Sequence, residues 1–249
     1  MLCVQATLLL ACAPVPGAVA AASLGGPTAH GSPGDLAASV PDDPVVLFDA
    51  STAIREGWFH REIRGATDYR TRFVDGELAV QAVGRDSASA LIRWIDVDPR
   101  RCPRIEWMWR IHTLQEGADL RDREADDVAA SVFLLFGEPS FPTALQEIPT
   151  LRYVWTNRKV AVESVVPNPY FPNAVRNLVV RSGTDDVDRW VVEHRDLLDD
   201  YRRAFGRDPK DSIHGIALFT DNDQTLEPVE AYYGWVRVHC SAGESGDGR

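Results

Sequence analysis

Between residues 45 and 239 apolar and polar positions alternate in short runs. Val45–Phe48, Glu77–Val83, Ala90–Val97, Ile105–His112 and Val128–Phe136 are short, β-branched or aromatic, and bounded by polar turns. Leu151–Thr156, Val175–Arg181, Arg189–Glu193, Ile213–Phe219 and Tyr232–His239 continue the series. Runs of this kind read as strands. In Ile105–Ile111, residues 105, 107, 109 and 111 share one face, and Glu106 and Arg110 take the other. Many short strands with few helices between them predict an all-β sandwich, not a doubly wound sheet.

One helix interrupts the pattern. Asp196 can cap it, Asp199 and Asp200 sit at its positive end, and Gly206 with Pro209 stops it. Leu197, Tyr201 and Phe205 fall at i, i+4 and i+8 and form a stripe that would lie on the sandwich.

The flanks carry no such periodicity. Residues 1–20 end in Ala18-Val19-Ala20, which suits cleavage as a signal peptide, although no Lys or Arg follows Met1. Leu9-Leu10-Ala11-Cys12 offers a second reading, a lipobox with anchoring through Cys12. The apolar run is too short to span a bilayer, so no transmembrane segment is expected. Residues 21–43 read as a flexible tether, 44–240 as one β-sandwich domain, and 241–249 as a disordered tail. A periplasmic or secreted protein is the expectation.

Composition narrows the function classes. The 249 residues are 45% hydrophobic and 25% charged, ordinary globular values, with a formal net charge of −11. An acidic balance argues against a nucleic-acid partner, which would require a basic stripe. Export also changes the cysteines: Cys102 and Cys240 either pair in an oxidising compartment or stay as two buried thiols. A bridge across so long a loop would stabilise by about 5 kcal/mol in the chain-entropy picture.

No Gly-x-Ser-x-Gly elbow, phosphate-binding glycine loop or His-Glu-x-x-His pair lies in the domain. Thr220-Asp221-Asn222-Asp223-Gln224-Thr225 presents alternating oxygen side chains. Calcium held by Asp221 and Asp223 is one reading; a turn closed by Asp and Asn on nearby N–H groups is the other. Asp126-Asp127 ends a charged loop, and on a strand the two would face opposite ways. Trp107, Trp109, Tyr153, Trp155, Tyr232, Tyr233 and Trp235 all lie on expected strands, where rings serve packing or stack on sugars. His112, His194 and His214 are scattered.

Taken together, several strings resemble a bacterial family known as domain of unknown function 3047, from about Phe48 to Val238. They include Ser87-Ala88-Ser89 with Leu91, Trp107-Met108-Trp109-Arg110, and Asp126-Asp127 before Val132-Phe133. Tyr153-Val154-Trp155, Trp190 with Glu193 and Arg195, and Asp200-Tyr201-Arg202 follow, then Ala204-Phe205-Gly206. The match closes on the 220–225 string and Ala231-Tyr232-Tyr233-Gly234. Ser131 stands where the resemblance leads one to expect Arg, and Ala125 where it leads one to expect Gly. The resemblance implies an exported jelly-roll, lectin-like antiparallel β-sandwich of unknown activity. The leading expectation is a glycan or similar polar ligand bound by Trp109, Asp126, Asp127, Tyr153, Trp155, Arg195 and Tyr232, with calcium on the 220–225 loop. The rivals are a hydrolase or lyase using Asp126, Asp127, Asp223 and Arg195 or His194, and an envelope interaction protein without a small ligand.

Overall fold

β-Branched and aromatic side chains fill pleated surfaces that are buried on one face, and the alternation of this chain supplies two such surfaces. The structure, a computed structural model, describes residues 44–52, 57–138 and 147–241. In one sheet β11 (Val191–Asp196), β6 (Arg104–Thr113), β13 (Glu230–His239), β4 (Glu77–Val83) and β3 (Asp68–Val74) lie side by side. The sixth strand, β1 (Val45–Asp49), pairs the second half of β13. The other sheet runs β2 (Trp58–Arg64), β5 (Ala88–Val97), β12 (Ile213–Asp221), β7 (Ala130–Phe136), β8 (Thr150–Thr156), β10 (Val175–Ser182) and β9 (Val165–Pro167). The chain is a jelly-roll-like β-sandwich. Among the described residues all pairings but one are antiparallel; β8 and β10 run parallel, because the chain from 157 to 174 crosses over before β10 begins.

Every expected strand is present, with the 189–193 segment shifted to Val191–Asp196. Strands β2, β3 and β9 were not expected. β2 and β3 are charged edge strands with few buried side chains, so they lack the apolar alternation that marks half-buried strands. Asp75-Gly76 between β3 and β4 carries φ of 47° and 88°, the left-handed pair that a two-residue hairpin turn needs.

The core lies between the sheets. Trp107 stacks on Tyr153 at 4.8 Å, and Trp109 meets Trp155 at 5.8 Å. The helix Leu197–Phe205 is capped by Asp196, whose side chain accepts from the N–H groups of Leu198 and Asp199. It ends at Gly206 (φ 69°) and buries Leu197 and Tyr201, with Tyr201 4.6 Å from Phe136. Cys102 and Cys240 form the disulfide, joining the approach to β6 to the end of its neighbour β13.

β8 is buried on both faces. One face meets the core. The other is roofed by Leu120, Val128, Val160 and Val166, which pack on Val154 and Val179. Segments 1–20 and 21–43 and residues 242–249 lie outside the described residues. Among the described residues no helix is long and apolar enough to cross a membrane.

Candidate metal centre

Because β7 and β12 are antiparallel neighbours, the entry to β7 lies beside the exit from β12. That pairing brings Asp126-Asp127 against the 220–225 string, which sequence spacing alone leaves unconnected. Val128 donates its N–H to Asp221 Oδ1 at 3.0 Å, and Asp221 donates its own to the Val128 carbonyl at 3.2 Å. Asp127 accepts from the Gln224 N–H at 3.2 Å, and from the Thr225 N–H and hydroxyl at 2.6 and 2.5 Å. Asp126 precedes the strand, so strand alternation does not separate it from Asp127; it accepts from Asn168 Nδ2 at 2.8 Å.

Asp127, Asp221 and Asp223 each offer a carboxylate oxygen, and the three lie within 4.8 Å of one another. All four aspartates are at most 6% exposed. Asp126 Oδ1 and Asp223 Oδ1 are buried without a hydrogen-bond partner among the described residues. Burial pushes Asp126 up to about 7, with repulsion from Asp127 and Asp223 adding and Arg152 and Asn168 opposing. Burial also holds Asp221 well above the usual carboxylate range, against the pull of Arg152. Asp223 is raised by burial and then by Asp127. Two guanidiniums answer these charges: Arg152, 3.4 Å from Asp221, and Arg64, 3.5 Å from Asp223. With all four carboxylates ionised, two guanidiniums would leave two negative charges unbalanced, and burial with mutual repulsion raises three of the four instead. A hard divalent ion takes oxygen ligands at about 2.3–2.6 Å, and Asp127, Asp221 and Asp223 could supply three of them.

Arg152, Asn168 and Arg64 were not expected at a site. Alternation places Arg152 opposite Leu151 and Tyr153, on the face that normally meets water. Arg152 is nevertheless 2% exposed, lying over the rings of Phe133 and Phe219 with its guanidinium against Ser131 and Asp221. Its Nε donates to Ser131 Oγ at 3.1 Å, so the Ser at 131 serves as an acceptor here. Asn177, across from Arg152 in the β8–β10 pairing, is fully buried with neither end of its amide partnered among the described residues.

The remaining expected ligand residues do not join this cluster. Trp109, Tyr153 and Trp155 are wholly buried between the sheets and present no ring to a ligand, a correction that follows from the inward face of β6 and β8. Arg195 is engaged by Asp200 and Glu163. Tyr232 is half-buried on the outer face of the six-stranded sheet, beside Trp190 at 6.3 Å and under Arg110 at 5.9 Å. His194 contacts Glu106, and His112 contacts Asp188, both away from the aspartates.

These features define a β-sandwich with a buried carboxylate cluster at the junction of β7 and β12. The chain belongs to the family described as "Protein of unknown function (DUF3047)", whose model matches residues 56–237. No curated protein matches the sequence. Among solved structures it is similar to the family 11 carbohydrate-binding module of cellulosomal cellulase Lic26A-Cel5E of Clostridium thermocellum. That likeness has 9% identity, covers 82% of this chain and 98% of the module, and has a TM-score of 0.41. A non-crystalline cellulose specific module, CBM28, is similar at 13% identity, with 80% and 92% covered and a TM-score of 0.33. The K3 cleaved adhesin domain of Lys-gingipain from Porphyromonas gingivalis W83 is similar at 10% identity, with 79% and 99% covered and a TM-score of 0.40.

Proposed function

We propose that this protein binds a glycan or similar polar ligand in the cell envelope, with a calcium ion held by Asp127, Asp221 and Asp223. The observation that carries the reading is the buried cluster itself, with three carboxylate oxygens within 4.8 Å of one another and, among the described residues, no hydrogen-bond partner for one oxygen each of Asp126 and Asp223. Buried charge is costly unless it is paired, and a bound cation would pair it while fixing the 220–225 loop. For the ligand, sugars present an apolar C–H face and a hydroxyl rim, which suit rings flanked by hydrogen-bonding groups. Two such sets lie at the surface: Tyr232 and Trp190 with Arg110 and Gln81, and Trp58, Tyr69 and His60 with Asp68 and Arg85.

Thermal unfolding of the full chain in calcium and in chelator tests the cation. At a hundredfold excess over its dissociation constant calcium should add about 2.7 kcal/mol. Asp223→Ala should remove that gain and leave the midpoint in chelator little changed. Equal destabilisation in both would return the loop to simple turn chemistry.

A hydrolase or lyase remains the second reading, favoured by one observation: Asp126 is poised at about 7 with a free Oδ1, as a general acid would be. It requires release of reducing or unsaturated ends from envelope polysaccharide, abolished by Asp126→Asn. The near-complete burial of all four aspartates favours the cation.

A further inference from the structure

At the side of the sandwich where β2 ends one sheet and β3 ends the other, a hollow of about 460 Å³ opens between the two edge strands. That volume falls within the range of small-ligand sites. Trp58 and His60 of β2 and Asp68 and Tyr69 of β3 line it, with Thr67 and Arg85 from the adjoining turns. Its aromatic wall is fixed from behind. Trp58 packs edge-on against Phe48 at 5.2 Å, and His60 stands perpendicular to Tyr69 at 5.3 Å. Tyr69 is anchored by its hydroxyl, which donates to the Ser89 carbonyl at 2.7 Å. His60 Nε2 is tied to Ser89 Oγ at 2.7 Å.

One polar feature distinguishes this hollow from the Tyr232 set. The Trp58 indole N–H is buried and has no acceptor among the described residues, a shortfall that a ligand oxygen would correct. Asp68 is held ionised by Arg70 and Arg85, and Arg85 reaches it at 3.3 Å while remaining 65% exposed. An acceptor and a donor therefore stand side by side at the rim, the arrangement that adjacent hydroxyls can engage. In the Tyr232 set the indole N–H is already taken, since Trp190 donates to the Val74 carbonyl at 3.2 Å.

The hollow shares a wall with the carboxylate loop. Thr67 donates its hydroxyl to the Thr220 carbonyl at 2.9 Å, and Asn222 Oδ1 accepts the Ser87 N–H at 3.1 Å. Arg64, at the end of β2, donates to the Asp223 carbonyl at 2.9 Å.

We propose that the hollow between β2 and β3 is the glycan site and takes one pyranose unit, with a ring face against Trp58 and Tyr69, a ring or hydroxyl oxygen on the Trp58 N–H, and neighbouring hydroxyls on Asp68 and Arg85. The proposal rests on the glycan reading above and gives it a location. Two substitutions separate location from reading. Trp58→Phe keeps a ring against Phe48 and removes the N–H; Arg85→Ala changes an exposed side chain and spares the core.

The experiment is calorimetric titration of the full chain, in calcium, with β-linked tetrasaccharides of glucose and of N-acetylglucosamine. Binding that each substitution weakens about tenfold, at an unchanged unfolding midpoint, is the expected result; tenfold is the scale of one lost hydrogen bond that leaves a shielded group behind. Binding that neither substitution alters would overturn the location and leave the glycan reading standing. If neither tetrasaccharide binds the unsubstituted chain, both fall.

Discussion

Arg195 shows how far a single side chain can depart from its expected role. Expected to meet ligand, it grips Asp200 instead, donating from Nε at 2.9 Å and from Nη2 at 2.5 Å, and it reaches Glu163 at 2.6 Å. Tyr153 adds its hydroxyl to Asp200 at 3.0 Å. Removing one partner of a buried pair leaves the other charge uncompensated, so Arg195→Ala should cost about 3–5 kcal/mol in urea unfolding, and Arg195→Lys should recover part of it. An undiminished midpoint would show the grip to be incidental. His112 is simpler. Its hydrogen bond to Asp188 raises it above the ordinary 6.5. The stabilising contribution of that contact is full below 6.5 and is lost as pH rises through the higher folded value. A ring-proton titration by NMR should show a midpoint above 6.5 that Asp188→Asn brings back down.

At the level of elements, the strands that bury one face were legible, and the edges were not. β6 alternates because one face meets Tyr153 and Trp155 and the other meets water, so its residues announce its role. β2 and β3 bury little, and charged residues dominate them, so only the Asp75-Gly76 turn signals a hairpin there. The stripe Leu197, Tyr201 and Phe205 marked the helix because its caps and its buried side coincide within a few residues of chain. The disulfide belongs to this scale too. It fastens β13 to the approach to β6, closing a loop with a sequence separation of 138. Reduction, or replacement of both cysteines by Ser, should lower stability by about 2–5 kcal/mol. A midpoint insensitive to reductant in chemical unfolding would mean that β-pairing alone holds that end.

Across the whole molecule, the carboxylate loop connects the two sheet edges that frame the hollow. Arg64, Thr67 and Ser87 all bond to residues 220–223. Calcium should therefore slow amide hydrogen exchange in 220–225 and in 126–128, and extend that protection to the turn at 65–67. Protection confined to 220–225 would break the link between the cation and the hollow. The sequence by itself determined what depends on neighbours along the chain: strand alternation, the capped helix, the sandwich class, and the oxygen-rich character of 220–225. Tertiary structure alone decided what depends on neighbours in space. Antiparallel pairing of β7 with β12 brought Asp126 and Asp127 to Asp221 and Asp223 across more than ninety residues. Phe133, Phe219 and Asp221 turned Arg152 from a surface position into a buried countercharge, and the facing sheets absorbed Trp109, Tyr153 and Trp155 into the core. The reason is physical: alternation records which face of a strand a side chain takes, whereas burial and charge pairing depend on what the rest of the chain lays over that face.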